Sequence, residues 1–288
     1  MLRMRTATAV AIGLELASAT LVNLAYVREQ EAAAALPALS LRRPRASLRL
    51  LLTDRRWLGG FAMENVGFAL YVAALALAPL AIVQTVGAAG IGLLALASSR
   101  LSDGHMTARE RWGALVSLVG LACLGLSLMS ASGEGSGGST GEIALWLGAT
   151  GVVAALVARA ASLRAGGQRA AIYGIAAGLL FSIGDITTKV MTQGGLRILF
   201  APAMIAGYLL GTSMLQLGYQ SGSALTTAGV STLLTNALPI AAGTALLGEP
   251  LPSGPLRVLR IVSFGAVVAG GVLLSRPNVK PPTTPKHH

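Results

Sequence analysis

Charge is what this sequence lacks most. Only 11% of its 288 residues are Asp, Glu, Lys or Arg, where a soluble globular domain carries about 25%. With a mean hydropathy of +0.68, that scarcity excludes an ordinary soluble domain and leaves an all-α polytopic membrane protein. Cysteine is nearly absent. The single Cys123 sits inside an apolar run, so there is no disulfide framework, and the residue is expected to be a small core side chain. Histidine is as sparse: His105 falls in a loop and His287-His288 in the tail, so no imidazole cluster can bind metal inside the core. No G-x-x-x-x-G-K-[ST] run is present, which removes ATP as a driving force. No nucleophile–base pair can be assembled, so neither enzymatic activity nor a cofactor is expected. The first apolar segment has no A-x-A site followed by a soluble mature domain, so no cleaved leader is expected. The formal net charge of +11 does not indicate a nucleic-acid partner, because in a membrane protein the position of basic residues outweighs their sum.

What is present is a series of long uncharged runs. A helix crossing the hydrocarbon core needs about 20 residues. Nine spans are expected, at 6–27, 57–77, 79–98, 112–131, 143–161, 170–190, 198–217, 224–247 and 258–275; ten spans is the alternative. With the N-terminus outside, 16 Lys and Arg residues fall inside and 6 outside. The positive-inside rule therefore places the C-terminus in the cytoplasm of a multi-pass plasma-membrane protein. Loop 28–56 contributes Arg28, Arg42, Arg43, Arg45, Arg49, Arg55 and Arg56 to that bias. Its alternation of arginine with leucine is either topology signal alone or a contact with anionic lipid headgroups. Trp57, Trp112 and Trp146 fall at span ends, as interfacial anchors do. Ser130 to Glu142 is a Gly/Ser linker, and 276–288 is expected to be a disordered tail.

The two halves echo one another. Gly67 falls opposite Gly211, Gly13-Leu14 opposite Gly178-Leu179, and Leu101 and Gly120 match Leu251 and Gly270 at an offset of 150. Four spans (1–131), then the linker and one extra span (132–169), then four more (170–275) give copies of opposite orientation. Inverted repeats with a site between them are a signature of secondary transporters.

A charged side chain at mid-membrane costs about 2.5–3.5 kcal/mol on insertion scales, so each needs a reason. Glu15 falls near the middle of span 1, Glu64 slightly inward of the middle of span 2, and Asp185 in the outer part of span 6. Glu15 and Glu64 are candidates for a cation, metal or proton site; the alternative is a carboxyl hydrogen-bonded to a neighbouring span. Asn65 adjoins Glu64, but successive helical residues point about 100° apart. Lys189 lies four residues beyond Asp185, so those two are expected to form a structural pair. Asn23, Gln84, Tyr208, Gln216, Thr235 and Asn236 either line a pathway or make interhelical hydrogen bonds worth about 0.6 kcal/mol each. Pro239 frees the carbonyl of Thr235 and can bend span 8. Gly174/Gly178 and Gly207/Gly211 are spaced for close helix packing.

The run WLGGFAMENVGFALYVAALALAPLAIVQTVG followed by WGALVSLVGLACLGL, and the run LQLGYQSGSALTTAGVSTLLTNALPIAAGTALLGEPLPSG, resemble the drug/metabolite transporter superfamily. The long basic loop after span 1, the nine-span layout and the pattern Ser182 to Lys189 are closer to its NIPA-type magnesium-transporter branch and the bacterial relatives of that branch. One departure is Ser98-Ser99-Arg100-Leu101, where the superfamily often has Gly-Glu. The resemblance implies a transporter or permease moving Mg²⁺ or another cation between the repeats. A proton-coupled exporter of small organic solutes or drugs is the second reading, and a non-transporting membrane subunit or lipid-carrier flippase component the third. The expected partners are the bilayer and a homodimer mate or other membrane protein.

Overall fold

A computed structural model of the protein describes residues 2–40, 42–77, 83, 86–87, 90, 94, 107–128, 138–191, 194–246 and 254–275. Among them the chain forms α1 (Leu2–Ala35), α2 (Pro44–Thr53), α3 (Arg55–Leu77), α4 (Ala108–Leu128), α5 (Thr140–Ser162), α6 (Gly166–Met191), a 3-10 turn (Gly195–Phe200), α7 (Ala201–Tyr219), α8 (Ala224–Ala245) and α9 (Pro255–Ser275). No strand occurs among the described residues. Five of their helices are long and apolar enough to cross a membrane. Most of the expected third span, the Gly/Ser run at 130–137 and the tail lie outside the described residues.

The largest departure from the sequence reading is α1. Residues 28–35, expected in a loop, continue the helix to Ala35. No Gly or Pro falls between Leu14 and Leu36, and the run of Glu, Gln and Ala consists of strong helix formers. The rest of that loop is also structured. Pro44 starts α2 at its first turn, where its missing N–H costs nothing. Asp54 then accepts the Trp57 amide at 2.8 Å and caps α3. Elsewhere the caps follow the sequence: Ser139 and Glu142 form a capping box on α5, and Ser223 caps α8.

The helices pack through residues too small to hold them apart. A Cβ at Gly60 would fall 2.7 Å from Glu29 Cγ, and one at Gly67 2.6 Å from Val22 Cγ2, so α1 and α3 run antiparallel in near backbone contact. Val83, Gly87 and Gly90 track α1 in its own direction, meeting Ala11, Glu15 and Asn23 in turn. Around α6, Gly207 and Gly211 of α7 close on Leu180, Gly184 and Phe181, while Gly174 and Gly178 accept Thr227 and Ser231 of α8. The α6–α7 pair is thus antiparallel and the α6–α8 pair parallel. α4 and α9 are antiparallel with a reciprocal register: a Cβ at Gly270 would meet Ser117 Oγ, and one at Gly120 would come 3.1 Å from Val267 Cγ2. Ser117 and Val267 are 150 positions apart, as are Gly120 and Gly270, so each contact is the other with its partners exchanged.

Candidate functional site

Helix α1 carries a polar stripe. At about 100° per residue, Glu15, Ser18, Tyr26 and Glu29 fall on one face, with Asn23 at its edge. Glu15, Ser18, Asn23 and Glu29 are all buried, Glu29 completely. The gathering point is Glu29. Its Oε2 accepts the Gln216 side-chain amide at 2.6 Å, and the Glu64 carboxyl of α3 lies beside it. Three helices from both halves of the sequence therefore meet on one carboxyl group. Two carboxyl groups side by side in a dry site hold one shared proton more readily than two charges. Tyr26 lies within electrostatic reach of Glu29, Glu64 and Asp185, and Tyr219 within reach of Glu29, Glu64 and Tyr26.

A second polar pair stands beside the first. The Tyr208 hydroxyl of α7 donates to Asp185 of α6 at 2.8 Å. The Tyr208 ring sits over Gly184, where a Cβ would be 2.8 Å from Cζ, and meets Phe68 of α3 edge-on at 6.0 Å. Tyr208 precedes Gln216 by eight residues, about 12 Å along α7. Glu15 is further still: Glu29 to Glu15 is 14 residues, about 21 Å of helical rise. The polar groups form a ladder along the helix axes, not one cluster.

This geometry redistributes the expected site. Glu15 and Glu64 do not face each other. The α1–α3 register puts Glu64 level with Ala25, about 15 Å from Glu15. Glu15 instead lies against Gly87. The two carboxyl groups that do meet are Glu64 and Glu29. Asn65 is exposed and bonds back to the Phe61 carbonyl at 2.7 Å, so it turns away from Glu64. Asn236 likewise bonds to the Thr232 carbonyl of its own helix at 2.7 Å. Gln84 and the side chain of Lys189 lie outside the described residues, and the partner seen on Asp185 is Tyr208. Pro239 sits inside α8 as expected. Glu15 Oε2, Asn23 Oδ1, Gln216 Oε1 and Thr235 Oγ1 are buried oxygens with no hydrogen-bond partner. Oxygen atoms of this kind suit hard cations and their water shells. Among the described residues no group of three or more His, Cys, Asp or Glu forms a metal cage.

One turn beyond Gln216, the ends of α1 and α7 are stapled. The Gln220 side-chain amide donates to the carbonyls of Ala33, Leu36 and Pro37 at 2.9, 3.3 and 3.0 Å. Its oxygen accepts the Leu39 amide at 2.8 Å, and Gln30 donates to the Gly222 carbonyl at 3.2 Å. Gln220→Ala is expected to release the 36–39 turn, costing about 1–3 kcal/mol locally because several backbone groups lose their partner at once. Faster amide hydrogen exchange confined to residues 33–40 would confirm it; unchanged exchange there would refute it.

In comparison with known proteins, the chain is 28% identical over 297 aligned residues to a probable magnesium transporter, NIPA9, of Arabidopsis thaliana, covering 91% of this chain and 81% of that protein. No family model matches the chain, and no solved structure matches it.

Proposed function

We propose that this protein is a membrane transporter that carries a divalent cation, Mg²⁺ first among them, along the oxygen-lined ladder between α1, α3, α6 and α7. The observation that carries the reading is the junction of buried Glu29 and Gln216 with half-buried Glu64, which ties both halves of the sequence to one acidic point. Mg²⁺ takes oxygen ligands and keeps several waters, so one or two carboxylates with amide oxygens nearby are chemically adequate for a passing ion. The similarity to a protein named as a probable magnesium transporter supports the choice of cargo. On this reading the chain crosses the membrane nine times with its C-terminus in the cytoplasm of a plasma-membrane protein. The alternating helix directions and the exchanged α4–α9 contacts support two inverted repeats of drug/metabolite-transporter type.

The test is flux. Purified protein in liposomes loaded with a Mg²⁺ indicator is expected to admit Mg²⁺ under an inward gradient, and Glu64→Gln to slow it by about tenfold or more, as loss of one ligand charge should. Wild-type protein with no flux under any gradient overturns the transporter reading. Wild-type flux untouched by Glu64→Gln removes this site from the path. The side-by-side carboxyl groups of Glu29 and Glu64 favour one second reading, a proton-coupled exporter of small organic solutes. Proton release on addition of an organic cation, with no Mg²⁺ movement, would select it.

A further inference from the structure

The arginine-rich segment between α1 and α3 takes no part in the ladder, yet it has a definite form. Helix α2 buries Leu51 and packs on α3. Its opposite strip carries Arg45, Leu48, Arg49 and Leu52, all exposed, with Leu48 and Leu52 at 54% and 48%. Arg42 and Arg43 before it and Arg55 and Arg56 after it are exposed as well. The single acid in this stretch, Asp54, is committed to capping α3. Exposed leucines framed by guanidinium groups match a lipid–water boundary: the leucines enter the acyl edge and the arginines hold phosphates bidentately. The helix is tied at both ends to long apolar helices, so it stays where α1 ends and α3 begins.

We propose that α2 docks on the anionic headgroups of the adjacent leaflet, and that docking steadies the closure between α1 and α7. The link runs through one turn. Ser47 of α2 exchanges two hydrogen bonds with Ser40, Ser40 N–H to Ser47 Oγ at 2.9 Å and Ser47 Oγ to the Ser40 carbonyl at 3.1 Å. The neighbouring Leu39 amide is held by Gln220 at 2.8 Å, and the same Gln220 side chain holds the end of α1. Lipid that fixes α2 therefore fixes the strap that Gln220 grips. The occupant is the bilayer surface, selected by the charge of the strip and its two leucines.

The experiment uses full-length protein carrying Trp112→Phe and Trp146→Phe, so that Trp57 at the α2–α3 junction is the only donor. In vesicles of phosphatidylcholine with phosphatidylglycerol, energy transfer to dansyl-phosphatidylglycerol is expected to exceed transfer to dansyl-phosphatidylcholine roughly threefold or more. Arg42, Arg43, Arg45 and Arg49 replaced together by Gln should abolish the preference, and by Lys should keep most of it. Exchange of the 36–40 amides should be slower in anionic than in neutral vesicles. Equal transfer to both lipids in the wild type, or a preference unchanged in the glutamine variant, overturns the docking. Identical amide exchange in the two membranes overturns its link to the closure. None of these readouts depends on transport.

Discussion

Replacing Glu29 with glutamine should leave the protein folded and, on the transport reading proposed above, reduce Mg²⁺ uptake by about thirtyfold or more. The fold survives because the new amide oxygen can still accept the Gln216 donor, now 2.6 Å from Glu29 Oε2, and its NH₂ can donate to Glu64 in place of the shared proton. What does not survive is the second charge: a cation that displaces the shared proton meets two carboxylates in the wild type and one in the variant. A unit charge about 4 Å away contributes several kcal/mol even at an effective dielectric near 20. A net loss of only about 2 kcal/mol is about thirtyfold in ion occupancy. Glu29→Ala is a different experiment: it strips the buried Gln216 amide of its acceptor, at about 1–3 kcal/mol, and mixes instability with lost function. Uptake and thermal unfolding measured on the same glutamine preparation separate the two. Wild-type uptake by Glu29→Gln would remove this carboxylate from the path.

The second large effect concerns assembly. Gly174→Val should destabilise the protein by about 3 kcal/mol or more, at the upper end of what overpacking costs. A Cβ at Gly174 would collide with the Thr227 carbonyl oxygen, with Thr227 Cα only 3.3 Å away. Backbone cannot swing aside as a flexible side chain does, so α6 and α8 must separate. Gly148→Ala on α5 is the control, since a Cβ there meets nothing within 4 Å. The detergent-solubilised unfolding temperature should fall sharply for the first and stay unchanged for the second. Equal unfolding temperatures would mean that the α6–α8 approach is not what holds the bundle.

The helices were legible because an uncharged run of this length has few other places to go. Gln216 and Glu64 stood out as polar residues in such runs. Glu29 did not. It follows Arg28, and a basic residue after a span-length run whose only charge is Glu15 looks like the end of a span. The available signal was periodic: Glu15, Ser18, Tyr26 and Glu29 share a helix face, and nothing before Pro37 breaks the helix. What no periodicity carries is the neighbour. Whether Glu64 faces Glu15 or Glu29 depends on the α1–α3 register, set by Gly60 and Gly67 against α1. A glycine shows that something comes close without saying what.

The pairing of α4 with α9 carries a consequence for biosynthesis. Ser117 leaves the ribosome about 150 residues before Gly270, which at 5–20 residues per second is roughly 8–30 s. On the topology proposed above, α4 stands during that interval in the lipid without the surface it will bury. Its serines are prepared for the wait. Ser117 Oγ donates to the Gly113 carbonyl at 2.7 Å and Ser127 Oγ to the Leu124 carbonyl at 2.6 Å, both within α4 itself. Each hydroxyl is satisfied before its partner helix is translated, so the first half of the chain can reside in the bilayer, unassembled but without an exposed polar group on those serines, until the last helix arrives to complete it.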